Sequence, residues 1–179
     1  MGDFRKLPGL LLIGLAAAVL IYPVLHEMGH VLTTVLWGGR VVQLQLRPPA
    51  SVLCCFSSVN TDGQVIAGLG GMLLPFLLTI SVRPTGISGR LICLYMQGIC
   101  ALSFLISAVS ALLFLCGRSF PGEDMTGVLR LQPHCGYLYL AGSLLLTAIS
   151  AADIALRHPI HTLSVYLLGD GQTSSISGA

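Results

Sequence analysis

The sequence predicts an all-α membrane protein of about four transmembrane helices, with a small membrane-associated β-hairpin or sheet between the first and second. Three observations carry this. Hydrophobic residues make up 54% of the chain and charged residues only 9%, where a soluble domain carries about 25% charged residues; the mean hydropathy is +0.86. Four apolar stretches are each long enough to cross a hydrocarbon core of about 30 Å. One intervening stretch alternates between apolar and polar residues and is broken by prolines.

The first apolar stretch runs from about Leu7 to Trp37 and is interrupted only by His26, Glu27 and His30. Arg5 and Lys6 precede it in the manner of a signal peptide. Its apolar character continues past the charged triplet, and no small-x-small site ends a short core, so it reads as a retained membrane helix. Residues 39–65 read as the hairpin or sheet. Arg40–Arg47 alternates with period two after Val42, Pro48-Pro49 ends the run, and Asp62-Gly63 is a turn pair. An open strand edge cannot face lipid, so protein, water or a bound strand must cover it.

The second, third and fourth spans are expected at about Val65–Val82, Ile87–Cys116 and Tyr137–Leu156. The loop 117–136 carries Arg118, Glu123, Asp124, Arg130 and His134. Pro121-Gly122 signals a turn there, and Glu123-Asp124 suits the start of a short helix through Arg130. Residues 1–168 form a single integral-membrane domain on this reading, and the Gly/Ser-rich residues 169–179 a disordered tail.

Composition also excludes. A net charge of +2 with no basic cluster argues against nucleic-acid binding. Six cysteines without a Cys-x-x-Cys pair give neither a disulfide framework nor a thiolate zinc site, and read as buried thiols.

The chemistry sits in His26-Glu27-Met28-Gly29-His30. On a helix, positions i and i+4 share a face. Both imidazoles can then bind one zinc ion, and the intervening glutamate can reach a water at the metal. Zinc lowers the pKa of such a water to about 7, and Glu27 would accept its proton and later pass one to a leaving amine. An ionisable residue at the bilayer centre costs about 2.5–3.5 kcal/mol on insertion scales, so three within five residues of a span call for compensation. Pro23, just before the motif, suits a kink that opens room beside it.

A catalytic zinc usually takes three protein ligands. Four alternating spans return loop 117–136 to the face nearest the motif, where Asp124, Glu123 and His134 compete for the third position. Asp124 is preferred, because it follows Gly122 and can project inward from a helix start. Asp153 falls at the opposite face, and Asp62 in a turn, where a solvent-facing role is the default.

These residues resemble the site-2 protease family of zinc intramembrane metalloproteases. The resemblance rests on the His26–His30 motif inside a span, on Trp37-Gly38-Gly39-Arg40-Val41 leaving the helix for a sheet, and on the glycine-rich Gly68-Leu69-Gly70-Gly71. A distal aspartate two spans later completes the order. It implies an endopeptidase with one zinc ion, acting on segments of other membrane proteins in or near the bilayer. It also implies an active site nearer the cytosolic face. Basic residues do not choose an orientation: Arg5, Lys6, Arg83, Arg90 and Arg157 fall on one side, against Arg40, Arg47, Arg118 and Arg130 on the other.

A strand edge suits an unwound substrate, because main-chain hydrogen bonds form regardless of sequence. Val42, Leu44 and Leu46 are the expected substrate-binding residues. Two other functions compete. A non-catalytic membrane scaffold keeping the same fold has no need of Glu27. A metal carrier or channel would repeat polar ligands on several helices, and the second and third spans carry no acid or histidine.

Overall fold

The structure is a computed structural model and describes residues 6–120 and 124–168. Arg5, the Pro121-Gly122 turn, Glu123 and the tail 169–179 therefore lie outside the described residues. Among the described residues, four helical stretches are long and apolar enough to cross a membrane: Leu7–Leu36, Thr61–Ser81, Ile87–Leu115 and Pro133–Leu156. With one two-stranded sheet between the first and second, the protein has the all-α membrane fold with a small hairpin that its sequence predicts.

The first span is not a uniform helix. Helix α1 (Leu7–Ala16) passes through a π turn (Ala17–Ile21) into α2 (Tyr22–Leu36). The cause lies one residue further on. Pro23 has no N–H to give, and its ring crowds the carbonyl one turn before it. The ladder widens just upstream instead, and the Tyr22 N–H reaches back to the Ala17 carbonyl. The disturbance expected at Pro23 thus takes the form of a π turn. At the other end Gly38, with φ of 77°, takes the left-handed position that closes the helix. The N–H groups of Gly38 and Gly39 bond the Val35 and Thr34 carbonyls.

Strands β1 (Arg40–Gln45) and β2 (Ser51–Cys55) pair antiparallel, Arg40 opposite Cys55 and Gln45 opposite Ser51. The register slips between Val41 and Gln43. Val42 is the extra residue of a bulge, which is why the alternation in the sequence begins only after it.

Helix α3 (Thr61–Ser81) begins at Thr61 rather than at Val65. Asp62-Gly63 is not a turn but the helix's first turn. The Asn60 side chain accepts the Gly63 N–H at 2.9 Å, and this cap outweighs the turn preference of the dipeptide. Asp62 is exposed, as expected, and its Oδ1 accepts from Gln132 Nε2 at 2.8 Å, while Tyr139 donates to Gln132 Oε1 at 2.7 Å. Then follow α4 (Ile87–Leu115), the short α5 (Asp124–Leu131), a 3-10 turn (Pro133–Cys135) and α6 (Gly136–Leu156). Helix α7 (Pro159–Leu168) was not expected from the sequence.

Helix α4 is the spine, with α6 packed along it and α3 on another side, while α2 packs on α3. Phe76 and Phe104 meet edge to face at 5.2 Å, beside Met72 and Cys100. Met125, Val128 and Leu129 of α5 join the same core. Their i, i+3, i+4 spacing puts them on one face, so a helix too short to stand alone is plugged into the bundle. Leucines such as Leu11, Leu12, Leu102 and Leu145 are exposed, as faces toward acyl chains should be. The cysteines are free thiols; Cys93 and Cys100 are buried, whereas Cys116, expected to be buried, is exposed at the end of its helix.

Candidate metal centre

His26 and His30 lie one turn apart on α2, on the face that meets α3. Their approach to α3 depends on glycine. A Cβ on Gly29 would overlap the carbonyl of Gly70, and a Cβ on Gly70 would strike Thr33 and the Gly29 carbonyl. The two backbones therefore touch, in the manner of small-residue helix crossings within membranes. Gly71 has a different role. A Cβ there would occupy the positions of His30 Nε2 and His26 Cε1. The absent side chain is the space that the imidazoles fill.

The rings sit edge to face at 4.8 Å, their Nε2 atoms 3.2 Å apart. His30 Nδ1 donates to the Ala67 carbonyl at 2.7 Å. A carbonyl only accepts, so the proton of a neutral His30 ring is on Nδ1, and Nε2 presents a lone pair toward His26. His26 Nδ1 is buried without a partner among the described residues.

Asp124 completes the group. Its Oδ2 lies 2.9 Å from His26 Nε2 and 3.4 Å from His30 Nε2. It occupies the first turn of α5, where a helix favours negative charge, and the buried face of α5 fixes its position. Burial works against its charge; the hydrogen bond from His26, with the His30 ring beside it, outweighs that and holds the carboxyl well below the usual carboxylate range. The three ligand atoms lie within 4.8 Å of one another, so the group can hold a metal ion.

The same three residues were expected to act together, and the fold brings them together across the sequence gap from α2 to α5. Glu27 opens with His30 and Asp124 onto a cleft of about 660 Å³, walled by β2 through Ser51, Val52 and Leu53. The Val52 backbone of β2 lies beside Glu27 in this cleft. His134 is not part of the group; it is exposed on the 3-10 turn. Val42, Leu44 and Leu46 do not line the cleft. Val42 is the bulge, Leu44 is exposed on β1, and Leu46 falls beyond the strand. The pairing places β1 behind β2, so it is the second strand that faces the candidate site.

The sequence predicts the hairpin over residues 39–65 but draws the substrate edge to Arg40–Arg47, because Ser51-Val52-Leu53-Cys54-Cys55 does not alternate. Gly71 stands out in the sequence only as part of a glycine run; the signal for its contact with the histidines was the count of glycines opposite a motif that itself contains one. No protein-family model, curated protein or solved structure matches the chain.

Proposed function

We propose that this chain is an intramembrane zinc metallopeptidase, in which His26, His30 and Asp124 hold one zinc ion and Glu27 is the general base. The observation that carries the reading is the convergence of two imidazole nitrogens and a carboxylate oxygen, at separations of 2.9, 3.2 and 3.4 Å, beside a glutamate in one cleft. Two atoms bound to a tetrahedral zinc at about 2.05 Å sit about 3.3 Å apart, so the donor set fits that ion with little movement. Two neutral imidazoles and one carboxylate with a position left open are also the donor type of catalytic rather than structural zinc.

The ion, when bound, supplies Lewis acidity to a carbonyl and to water at its open position. The remaining chemistry belongs to the chain. Glu27 takes a proton from the attacking water and returns one to the amide nitrogen as the peptide bond breaks. Ala67 holds His30 in the tautomer that leaves Nε2 available. Among the described residues β2 pairs only with β1, so its other edge is available to an extended substrate backbone. His30 is six residues from Leu36, the end of its span, or about 9 Å along the helix. That depth suits substrates whose scissile bond lies within or just beneath the membrane surface. The resemblance to site-2 proteases adds that this surface is the cytosolic one.

The test is Glu27→Gln, purified in detergent and assayed beside the unaltered chain on co-expressed single-span membrane proteins. The variant should keep its zinc and lose cleavage by about 10²–10⁴-fold, the usual worth of a general acid–base group. Cleavage at the normal rate by Glu27→Gln would remove the mechanism.

A further inference from the structure

At the far end of the bundle, the ends of three spans enclose a second polar site. Helix α3 continues ten residues beyond Gly71 to Ser81, or about 15 Å, so this site belongs to the opposite membrane surface. Asp153, near the end of α6, is buried. Arg83 NH2 meets its Oδ1 at 2.8 Å and Arg157 Nε its Oδ2 at 2.6 Å. Arg157, 10% exposed, also donates to the carbonyl of Thr79 and, at 3.5 Å, to that of Val82. Those bonds tie α6 to the last turn of α3 and account for Arg157 and Asp153 as structural groups.

They do not account for the rest. Beside them is a pocket of about 330 Å³, lined by Arg83, Arg90 and Arg157 with Asp153, and by Leu94 and Leu156. Three guanidiniums against one carboxylate leave two positive charges around it. Arg90 enters none of the ion pairs among the described residues and makes one long contact, Nε to the Pro84 carbonyl at 3.4 Å. Arg83 holds Asp153 with one nitrogen while its side chain stays 59% exposed.

We infer that this pocket binds the phosphate headgroup of an anionic membrane lipid. Guanidinium forks match phosphate oxygens in pairs. The pocket stands where three spans end, at headgroup level, and basic pockets between helix ends are a recurrent setting for such lipids. Leu94 and Leu156 supply an apolar side that a free phosphate would not use and an acyl chain would. The adjoining α7 presents Ile160, 83% exposed, to the same layer.

The experiment uses the full chain in neutral detergent, with bound lipid counted by native mass spectrometry during titration with phosphatidylglycerol, phosphatidylcholine or inorganic phosphate. One phosphatidylglycerol should stay bound per chain and phosphatidylcholine should not. Arg90→Gln, which breaks no ion pair, should weaken binding about five-fold, the usual worth of one basic residue at a membrane surface. Arg83→Gln, read in parallel, should weaken it similarly. Arg118→Gln, at the other end of the bundle, should leave it unchanged. Equal binding of phosphatidylcholine, or equal loss with Arg118→Gln, would overturn the proposal. Inorganic phosphate binding as tightly as phosphatidylglycerol would assign the pocket to a soluble anion and overturn the lipid assignment.

Discussion

Two aspartates, Asp124 and Asp153, sit at opposite ends of the same bundle, and each has two basic side chains around it. Around Asp153 they are Arg83 and Arg157, at 2.8 and 2.6 Å. Around Asp124 they are His26 and His30, at 2.9 and 3.4 Å. The difference is in what the bases bring. Guanidiniums are always charged and carry five donors, so they neutralise Asp153 and still have N–H groups left for the Thr79 and Val82 carbonyls. The carboxylate at that end is satisfied within the chain, and the guanidinium groups left over beside it line the neighbouring pocket. Imidazoles are neutral over much of the physiological range. His30 Nδ1 donates its N–H to the Ala67 carbonyl, and His26 Nδ1 has no partner among the described residues. What then converges on the Asp124 carboxylate is two ring nitrogens that carry no fixed charge, an arrangement short of positive charge. An ionisable cluster within a membrane protein is expensive. One end offsets that expense from within the chain, and the other is arranged so that a cation can.

The comparison can be broken at the Asp153 end first. Asp153→Ala leaves Arg157, 10% exposed, without its carboxylate. Breaking a buried pair by removing one partner costs about 3–5 kcal/mol, and the lower figure applies because Arg83 can reach solvent. Thermal unfolding in detergent should show that loss, with bound zinc unchanged. A variant that unfolds normally but loses zinc would mean the two ends are not independent.

The glycines sharpen the contrast within the candidate metal centre. Gly71→Ala pushes against the tips of two imidazoles, which can swing aside, so the expected damage is to the ligand positions. Zinc affinity should fall about ten-fold or more, since overpacking costs about 1–3 kcal/mol. Gly70→Ala meets the Gly29 backbone instead, so its effect should appear as lost stability. The reverse assignment of the two effects would contradict the packing described above.

The smallest effect concerns the strands. Leu53→Pro removes an N–H from β2, and should slow cleavage roughly ten-fold through one or two lost hydrogen bonds, with zinc retained. Leu46→Pro, beyond the end of β1, should cleave normally. Equal rates for both variants would make the hairpin a surface feature alone.

Much of this was legible in the sequence, and the reasons are physical. The spans follow from length and hydropathy. His26, Glu27 and His30 stand out because polar residues within an apolar helix are conspicuous and the i, i+4 rule is local. The parity of four spans brings Asp124, Glu123 and His134 to the right face, and the place of Asp124 after Gly122 at a helix start singles it out. Residues whose roles depend on long-range contact were harder. Asp62-Gly63 reads as a turn until Asn60 is seen to cap the helix that contains it. The alternation in β1 drew notice to the strand farther from the cleft, because β2 has apolar residues or cysteines at four consecutive positions. Arg83, Arg90 and Arg157 were counted for orientation, where they decided nothing; that they line one pocket is a property of the packed helices. Helix α7 is interrupted by His161 and Ser164 and is too short for a span, so no simple period marked it.

The most direct test of the central claim is a zinc count. The purified chain, loaded with zinc and freed of excess, should carry one ion, and His26→Ala, His30→Ala and Asp124→Ala should each carry close to none, because each removes one of three ligands. Glu27→Gln should keep its ion. One zinc per chain in Asp124→Ala, with the other results unchanged, would contradict the three-residue centre. No zinc on the unaltered chain would contradict the whole account.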